Sequence, residues 1–184
     1  MKRRIVHFFD RDGVINRRIV GDYIRKPDQF SLLQDIADAL VATKRKGRLA
    51  IVVTNQRGIA RNLMSANDLY AVHDRMQWEV ERTSGFRFDD ILFCPHGDDI
   101  GCSCRKPNPG MLLQAAENHG IDLRRSWMIG DSISDIVAGQ RAGCRTLRLA
   151  PGYQEDRYGA DPTILADGLK DGLAAIIAAD EGIG

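Results

Sequence analysis

Short runs rich in apolar residues alternate along this chain with longer stretches in which apolar residues recur every three or four positions. IVHFF at 5–9 is the first run; LAIVV at 49–53, ILF at 91–93, WMI at 127–129 and RTLRL at 145–149 follow. Runs without polar alternation suit strands that are covered on both faces. Between them, Ile36, Ala39, Leu40 and Thr43 share a helical stripe over 35–46, and Gly47 stands where a C-terminal cap belongs. Leu69, Val72, His73, Met76 and Val80 mark a longer helix over 65–83. Asn108 and Pro109 offer N-cap and first-turn residues for a helix running to about His119, and Ser134 is placed to cap one that ends at Gly143. A weaker helical pattern covers 169–179. This alternation predicts an α/β fold: a Rossmann-like three-layer sandwich with a parallel sheet, in one domain spanning 1–184.

Composition narrows the function. A chain of 184 residues buries enough surface to need no covalent staple. Its formal net charge of +1 argues against a nucleic-acid binder, which needs a basic excess on one face. MKRRIVHFF begins like a secretory signal, but Asp10 ends its apolar run after about five residues, below the roughly 7–15 such signals need. No run approaches a membrane span. The expectation is a cytoplasmic protein whose cysteines stay reduced.

Open parallel sheets bind ligands beyond the carboxyl ends of their strands, so the residues that follow each run carry the chemistry. They are Asp10-Arg11-Asp12, Thr54-Asn55-Gln56, Cys94 and Gly130-Asp131. Asp10 and Asp12 are too close to remain ionised together without a cation, unless one keeps a proton. Mg²⁺ suits such a pair, since it takes one or two carboxylates and leaves room for water and phosphate. Asp131 is the better further metal ligand, whereas Asp135 also fits as a favourable charge in the first turn of a helix. Lys106 precedes a helix N-terminus, where a positive charge is locally unfavourable and a bound anion would offset it.

DRDG at 10–13, Thr54-Asn55, the RKP lysine Lys106 and GD-x₃-D at 130–135 resemble, in order and spacing, the four motifs of the haloacid dehalogenase superfamily of phosphatases. The resemblance covers residues 5–150. It implies that Asp10 attacks phosphorus to form an aspartyl-phosphate, and that Asp12 protonates the leaving oxygen and then activates water. It implies that Thr54 and Lys106 bind the phosphoryl group. It also implies that Mg²⁺ is held by Asp10, Asp131 and the Asp12 carbonyl, with Asp135 supporting Lys106 or the metal. No insertion is long enough for a cap domain.

CPHGDDIGCSCRKP at 94–107 carries Cys94, His96, Cys102 and Cys104 in the pattern C-x-H-x₅-C-x-C. Three thiolates and one imidazole make a closed structural Zn²⁺ set with no open position. Such a knot would order the loop 94–106 and deliver Arg105 and Lys106 to the anion. Cys144 lies outside it and reads as a small buried residue. Together with DRDGVIN, TNQRGIAR and RKPNPGM, this loop is similar to the heptose bisphosphate phosphatases of envelope sugar synthesis, and histidinol-phosphatases share it. The resemblance implies a small phosphorylated metabolite as substrate, with Arg18, Gly21, Tyr23, Asn55, Gln56, Arg61 and Arg105 contacting the sugar or its second phosphate. Arg17-Arg18 and a one-residue insertion depart from the family pattern in that first segment.

Two other readings account for less. A phospho-receiver domain shares the α/β class, the acceptor aspartate and Mg²⁺, but receivers lack such a DxD pair. A zinc-dependent nucleic-acid module lacks the basic and aromatic interleaving. No patterned exposed apolar helix stands out, so a monomer is expected.

Overall fold

The computed structural model of the protein describes residues 3–150 and 159–181. Six strands, β1 (Val6–Phe9), β2 (Leu49–Asn55), β3 (Asp90–Cys94), β4 (Trp127–Gly130), β5 (Arg145–Leu149) and β6 (Ile164–Ala166), form one parallel sheet in the order β3-β2-β1-β4-β5-β6. The helices are α1 (Ile36–Arg45), α2 (Ala66–Ser84), α3 (Gly110–His119), α4 (Ile133–Ala142) and α5 (Leu169–Glu181). Each crossover from β1 through β5 carries one α-helix, and none of them carries an inserted domain.

The apolar strands earn their pattern by being buried on both faces. Phe9, Ala50, Val52, Trp127 and Ile129 pack with α1, α2 and α5, while Val6, Phe8, Ile51, Val53 and Met128 pack with α3 and α4. Alternate residues of one strand thus feed two separate cores, as a three-layer sandwich requires. The stripes expected on α1 and α2 are the residues those helices bury. Ser65 opens α2 with a capping box, its hydroxyl accepting from Asp68 N–H at 3.1 Å, and left-handed Gly85 closes it.

Four expectations shift. The residue with extended backbone before α4 is Ser132, not Ser134, because Asp135 three residues on accepts from the Ser132 N–H at 3.1 Å and from its hydroxyl at 2.7 Å. Asn108 and Pro109 also lie one position off: Pro109 precedes α3, which begins at Gly110. The strand β6 was not expected: Ile164, Leu165 and Ala166 form a three-residue strand at the edge of the sheet. Thr54 and Asn55 belong to β2 itself, which runs two residues beyond the apolar stretch. Among the described residues no helix is long and apolar enough to cross a membrane.

Candidate active site

The chain leaves β1 for β2 on one side and later returns to β4 on the other, so a crevice opens at the carboxyl ends of β1 and β4. Asp10 follows β1, and its N–H donates to Ile129 O of β4 at 2.9 Å. That register brings Asp10 beside Asp131, the residue after β4. Ligand atoms of Asp10, Asp131 and Asp135 all lie within 4.8 Å of one another. Lys106 enters from the loop before α3 and is only 3% exposed. Its Nζ donates to Asp10 Oδ1 at 2.8 Å and to Val53 O at 2.8 Å, and pairs with Asp135 Oδ1 at 2.6 Å. The carboxylates of Asp10 and Asp135 thus hold the positive charge that the local sequence left unfavourable. Asn55 fixes the lysine's main chain, with Nδ2 donating to Lys106 O at 3.0 Å and Oδ1 accepting from Lys106 N–H at 3.1 Å.

Two glycines make room for this crowding. Gly13 adopts φ +100°, and a β-carbon there would overlap the Asp131 carboxylate; one on Gly130 would overlap the Asp135 carboxylate. Burial pushes Asp10 up to about 6, against the pull of Lys106, and burial with the neighbouring Asp10 and Asp135 charges pushes Asp131 up to about 8. These are carboxylates short of positive charge, and a divalent cation among oxygens this close would relieve them. The donor set therefore fits Mg²⁺. Arg18 at present meets two of the expected oxygens: its Nη2 donates to Asp12 O at 2.8 Å and to Asp131 Oδ1 at 2.8 Å.

Asp12 differs. Asn16 Nδ2 donates to its Oδ1 at 2.9 Å, Gln56 Nε2 to its Oδ2 at 3.1 Å, and the Arg11 guanidinium to both oxygens. Burial alone would raise this carboxyl, but the Arg11 charge and these hydrogen bonds outweigh it and hold it below the ordinary range. Gln56 also donates to Thr54 Oγ1 at 2.8 Å. Expected on the sugar, Gln56 is instead fully buried, a brace between Thr54 and Asp12.

Cys94 ends β3, and its Sγ stands 3.6 Å from His96 Nδ1, 3.6 Å from Cys102 Sγ and 3.2 Å from Cys104 Sγ of the loop that follows. Cys104 Sγ is 3.3 Å from His96 Nδ1 and 3.5 Å from Cys102 Sγ. Ligands on a tetrahedral Zn²⁺ with bonds of about 2.1–2.3 Å stand about 3.5–3.8 Å apart, so the four atoms fit one ion and leave no open position. Burial pushes the Cys94 thiol up to about 12, whereas at Cys102 the Arg105 N–H and adjoining thiols overcome burial and bring it down to about 7. Cys144 is buried in the α3–α4 core, as expected.

A cleft of about 820 Å³ opens over these groups, within the size range of small-molecule sites. Asp10, Asp12, Thr54 and Lys106 line it, and Arg18, Gly21, Tyr23, Asn55, Arg61 and Arg105 stand on its wall. Sequence reasoning missed Arg57, whose Nε donates to Tyr23 Oη at 3.2 Å and whose Nη1 pairs with Asp98 of the loop 94–106. Arg105 Nε donates to the same Asp98 at 2.6 Å. One exposed carboxylate thus gathers two arginines at the cleft rim. Asn16 and Arg11 were missed as well. Nothing in a turn sequence foretells a buried guanidinium, although a histidine within the apolar stripe of α2 was a sign of a polar contact there.

Comparison with known proteins agrees with this geometry. A family model described as HAD-hydrolase-like matches residues 103–172. The chain is 39% identical over 149 residues, 81% of its length and 83% of the relative's, to the D-glycero-beta-D-manno-heptose-1,7-bisphosphate 7-phosphatase of Pseudomonas aeruginosa. It is 38% identical over 148 residues, 77% of each chain, to the D-glycero-alpha-D-manno-heptose-1,7-bisphosphate 7-phosphatase of Mycobacterium bovis. The D,D-heptose 1,7-bisphosphate phosphatase of B. bronchiseptica, solved with magnesium and phosphate, superposes with a TM-score of 0.86 at 30% identity, over 95% of this chain and 99% of that one. Motifs, sheet order and relatives converge: the chain belongs to the haloacid dehalogenase-like phosphatases, in the family of the heptose bisphosphate 7-phosphatases.

Proposed function

We propose that the protein is a Mg²⁺-dependent phosphomonoester hydrolase that removes the 7-phosphate of a D-glycero-D-manno-heptose 1,7-bisphosphate. The observation that carries this reading is the meeting of Asp10, Asp131, Asp135 and Lys106 at the floor of an open cleft. The family relationship supplies the substrate.

Asp10 attacks phosphorus through a carboxylate oxygen, the phosphorus–oxygen bond to the sugar breaks, and the departing oxygen takes a proton from Asp12. In the second half Asp12 removes a proton from water, the water oxygen attacks phosphorus, and the Asp10–phosphorus bond breaks to release inorganic phosphate. The hydrogen bonds on Asp12 favour its carboxylate form, the one the second half needs. The proton that Asp12 takes from water in the second half is the one it gives to the leaving oxygen of the next turnover, so the carboxyl ends each cycle as it began. Lys106 and the Thr54 hydroxyl bind the transferring phosphoryl oxygens. Asp10, Asp131 and the Asp12 carbonyl would hold Mg²⁺, with Asp135 behind them anchoring Lys106. Bound there, the ion supplies charge compensation as carboxylate and phosphoryl oxygens approach. Arg18, which donates to Asp131 and the Asp12 carbonyl, stands on the cleft wall with Arg105, and we assign these two guanidinium groups to the sugar's other phosphate.

Cys94, His96, Cys102 and Cys104 hold a structural Zn²⁺ in the loop 94–106, within one domain. A reducing cytoplasm keeps those thiols available. The deciding experiment measures phosphate release with Mg²⁺ from the α- and β-anomers of the heptose bisphosphate and from histidinol phosphate. One phosphate per heptose is expected, with kcat/KM on the preferred anomer far above that on histidinol phosphate; the reverse order would overturn the assignment.

A further inference from the structure

Arg11 lies between Asp10 and Asp12 in the sequence and is itself fully buried. Its Nε donates to Asp12 Oδ1 at 3.3 Å, and its Nη2 to Oδ1 at 3.0 Å and to Oδ2 at 2.9 Å. The remaining arm, Nη1, donates to His73 Nε2 at 3.3 Å. A guanidinium only donates, so that nitrogen is the acceptor of a neutral imidazole, and the ring's proton lies on Nδ1. His73 projects from the buried face of α2 and meets the ring of Phe93 edge-on, with centroids 6.0 Å apart. Phe93 meets Tyr70 of the same helix edge-on in turn, at 5.8 Å. The Arg11 carbonyl also accepts from the N–H groups of Ile15 and Asn16 at 2.8 and 3.1 Å, which fixes the turn that presents Asp12.

Folding alone gives no reason for this arrangement, since a buried guanidinium loses hydration that an apolar side chain of similar volume would not. What the arrangement does achieve is geometric. Arg11 donates to both oxygens, Asn16 to one and Gln56 to the other, so the Asp12 carboxylate is held by three side chains. We propose that Arg11, braced by His73, is a positioning residue that fixes the Asp12 carboxylate toward the leaving oxygen and the attacking water, so that α2 sets the alignment of the proton-transfer group. The inference rests on the reading of Asp12 as that group.

A displacement of about 1 Å in a reacting group costs on the order of 100-fold in rate. Arg11→Met is therefore expected to lower kcat about 100-fold with KM within about twofold, and Arg11→Lys to recover part of the loss. His73→Phe leaves every Asp12 contact in place but loosens Arg11, and is expected to lower kcat about tenfold. A thermodynamic cycle separates positioning from general packing. In an Asp12→Asn background Arg11→Met should change kcat by less than about threefold, because its effect passes through Asp12. Equal losses in both backgrounds, or a kcat for His73→Phe within about twofold of the unmodified protein, would overturn the proposal. If Arg11→Met does not fold, the comparison of His73→Phe in the two backgrounds decides. Turnover retained by Asp10→Asn would instead sink the reaction itself, whereas an inactive Asp10→Asn beside an unimpaired His73→Phe sinks only the positioning role.

Discussion

At Asp10 two opposed effects set the chemistry. Burial raises the carboxyl, and Lys106 at 2.8 Å pulls it back toward the ionised form that a nucleophile needs. The same lysine is paired with Asp135, so its charge is shared between Asp10 and the first turn of α4. Asp10→Asn keeps the shape and the hydrogen-bonding capacity of the side chain but removes its nucleophilicity. Turnover should fall by more than about 1,000-fold, while the circular dichroism spectrum and Tm stay near those of the unmodified protein. Phosphate release at even a tenth of the normal rate would refute the nucleophile assignment. Position 10 was legible in the sequence as a carboxylate at a strand end. Its partner Lys106 was legible only as a misplaced charge, because 96 residues separate the two.

At the scale of elements, the loop 94–106 has little apolar material with which to hold itself together. Its order comes from four ligand atoms converging within 3.2–3.6 Å and from Asp98, which ties Arg57 and Arg105 together at its tip. Removal of zinc should raise amide exchange in 94–106 while β1 and β4 remain protected. KM for a bisphosphate should rise at least several-fold, because Arg105 and Lys106 leave the same loop. A protein purified without added metal should contain one zinc per chain; its absence by metal analysis would defeat the closed-site reading. The grouping of Cys94, His96, Cys102 and Cys104 was plain from spacing alone, since a local cluster is visible in a local stretch. The misplaced caps of α3 and α4 were off by one and two residues. A cap is decided by backbone conformation and by which nearby side chain accepts, and several serines and prolines offer the same signal.

Across the whole molecule, the centre of the sheet contains a histidine. His7 lies on β1 at 1% exposure, between Thr43 Oγ1 at 2.9 Å from Nδ1 and Arg48 Nη1 at 2.8 Å from Nε2. Burial, reinforced by Arg48, brings it down to about 3 from an ordinary value of 6.5. A group whose folded value is depressed contributes fully above its unfolded value and loses that contribution as pH falls toward the folded one. His7 therefore weakens the fold progressively from pH 6.5 toward pH 3, as the unfolded chain takes up a proton the native state refuses. The stability of the unmodified protein relative to His7→Gln should drop by about 2.5 kcal/mol between pH 7 and pH 4.5 in denaturant titrations. A difference independent of pH would show that His7 is not held neutral.

The sequence by itself determined the α/β layering, the strand ends that carry Asp10, Thr54 and Asp131, and the cluster of three cysteines and one histidine. Each of these is written in residues adjacent along the chain or spaced at the period of a strand or helix. Only the tertiary structure decided that Lys106 lies between Asp10 and Asp135, that Gln56 faces inward, and that Arg11 turns away from solvent onto Asp12 and His73. Apart from Arg11 with its neighbour Asp12, those relations join residues tens of positions apart. They are settled by how much water each charge loses when the layers close, and no local pattern records that.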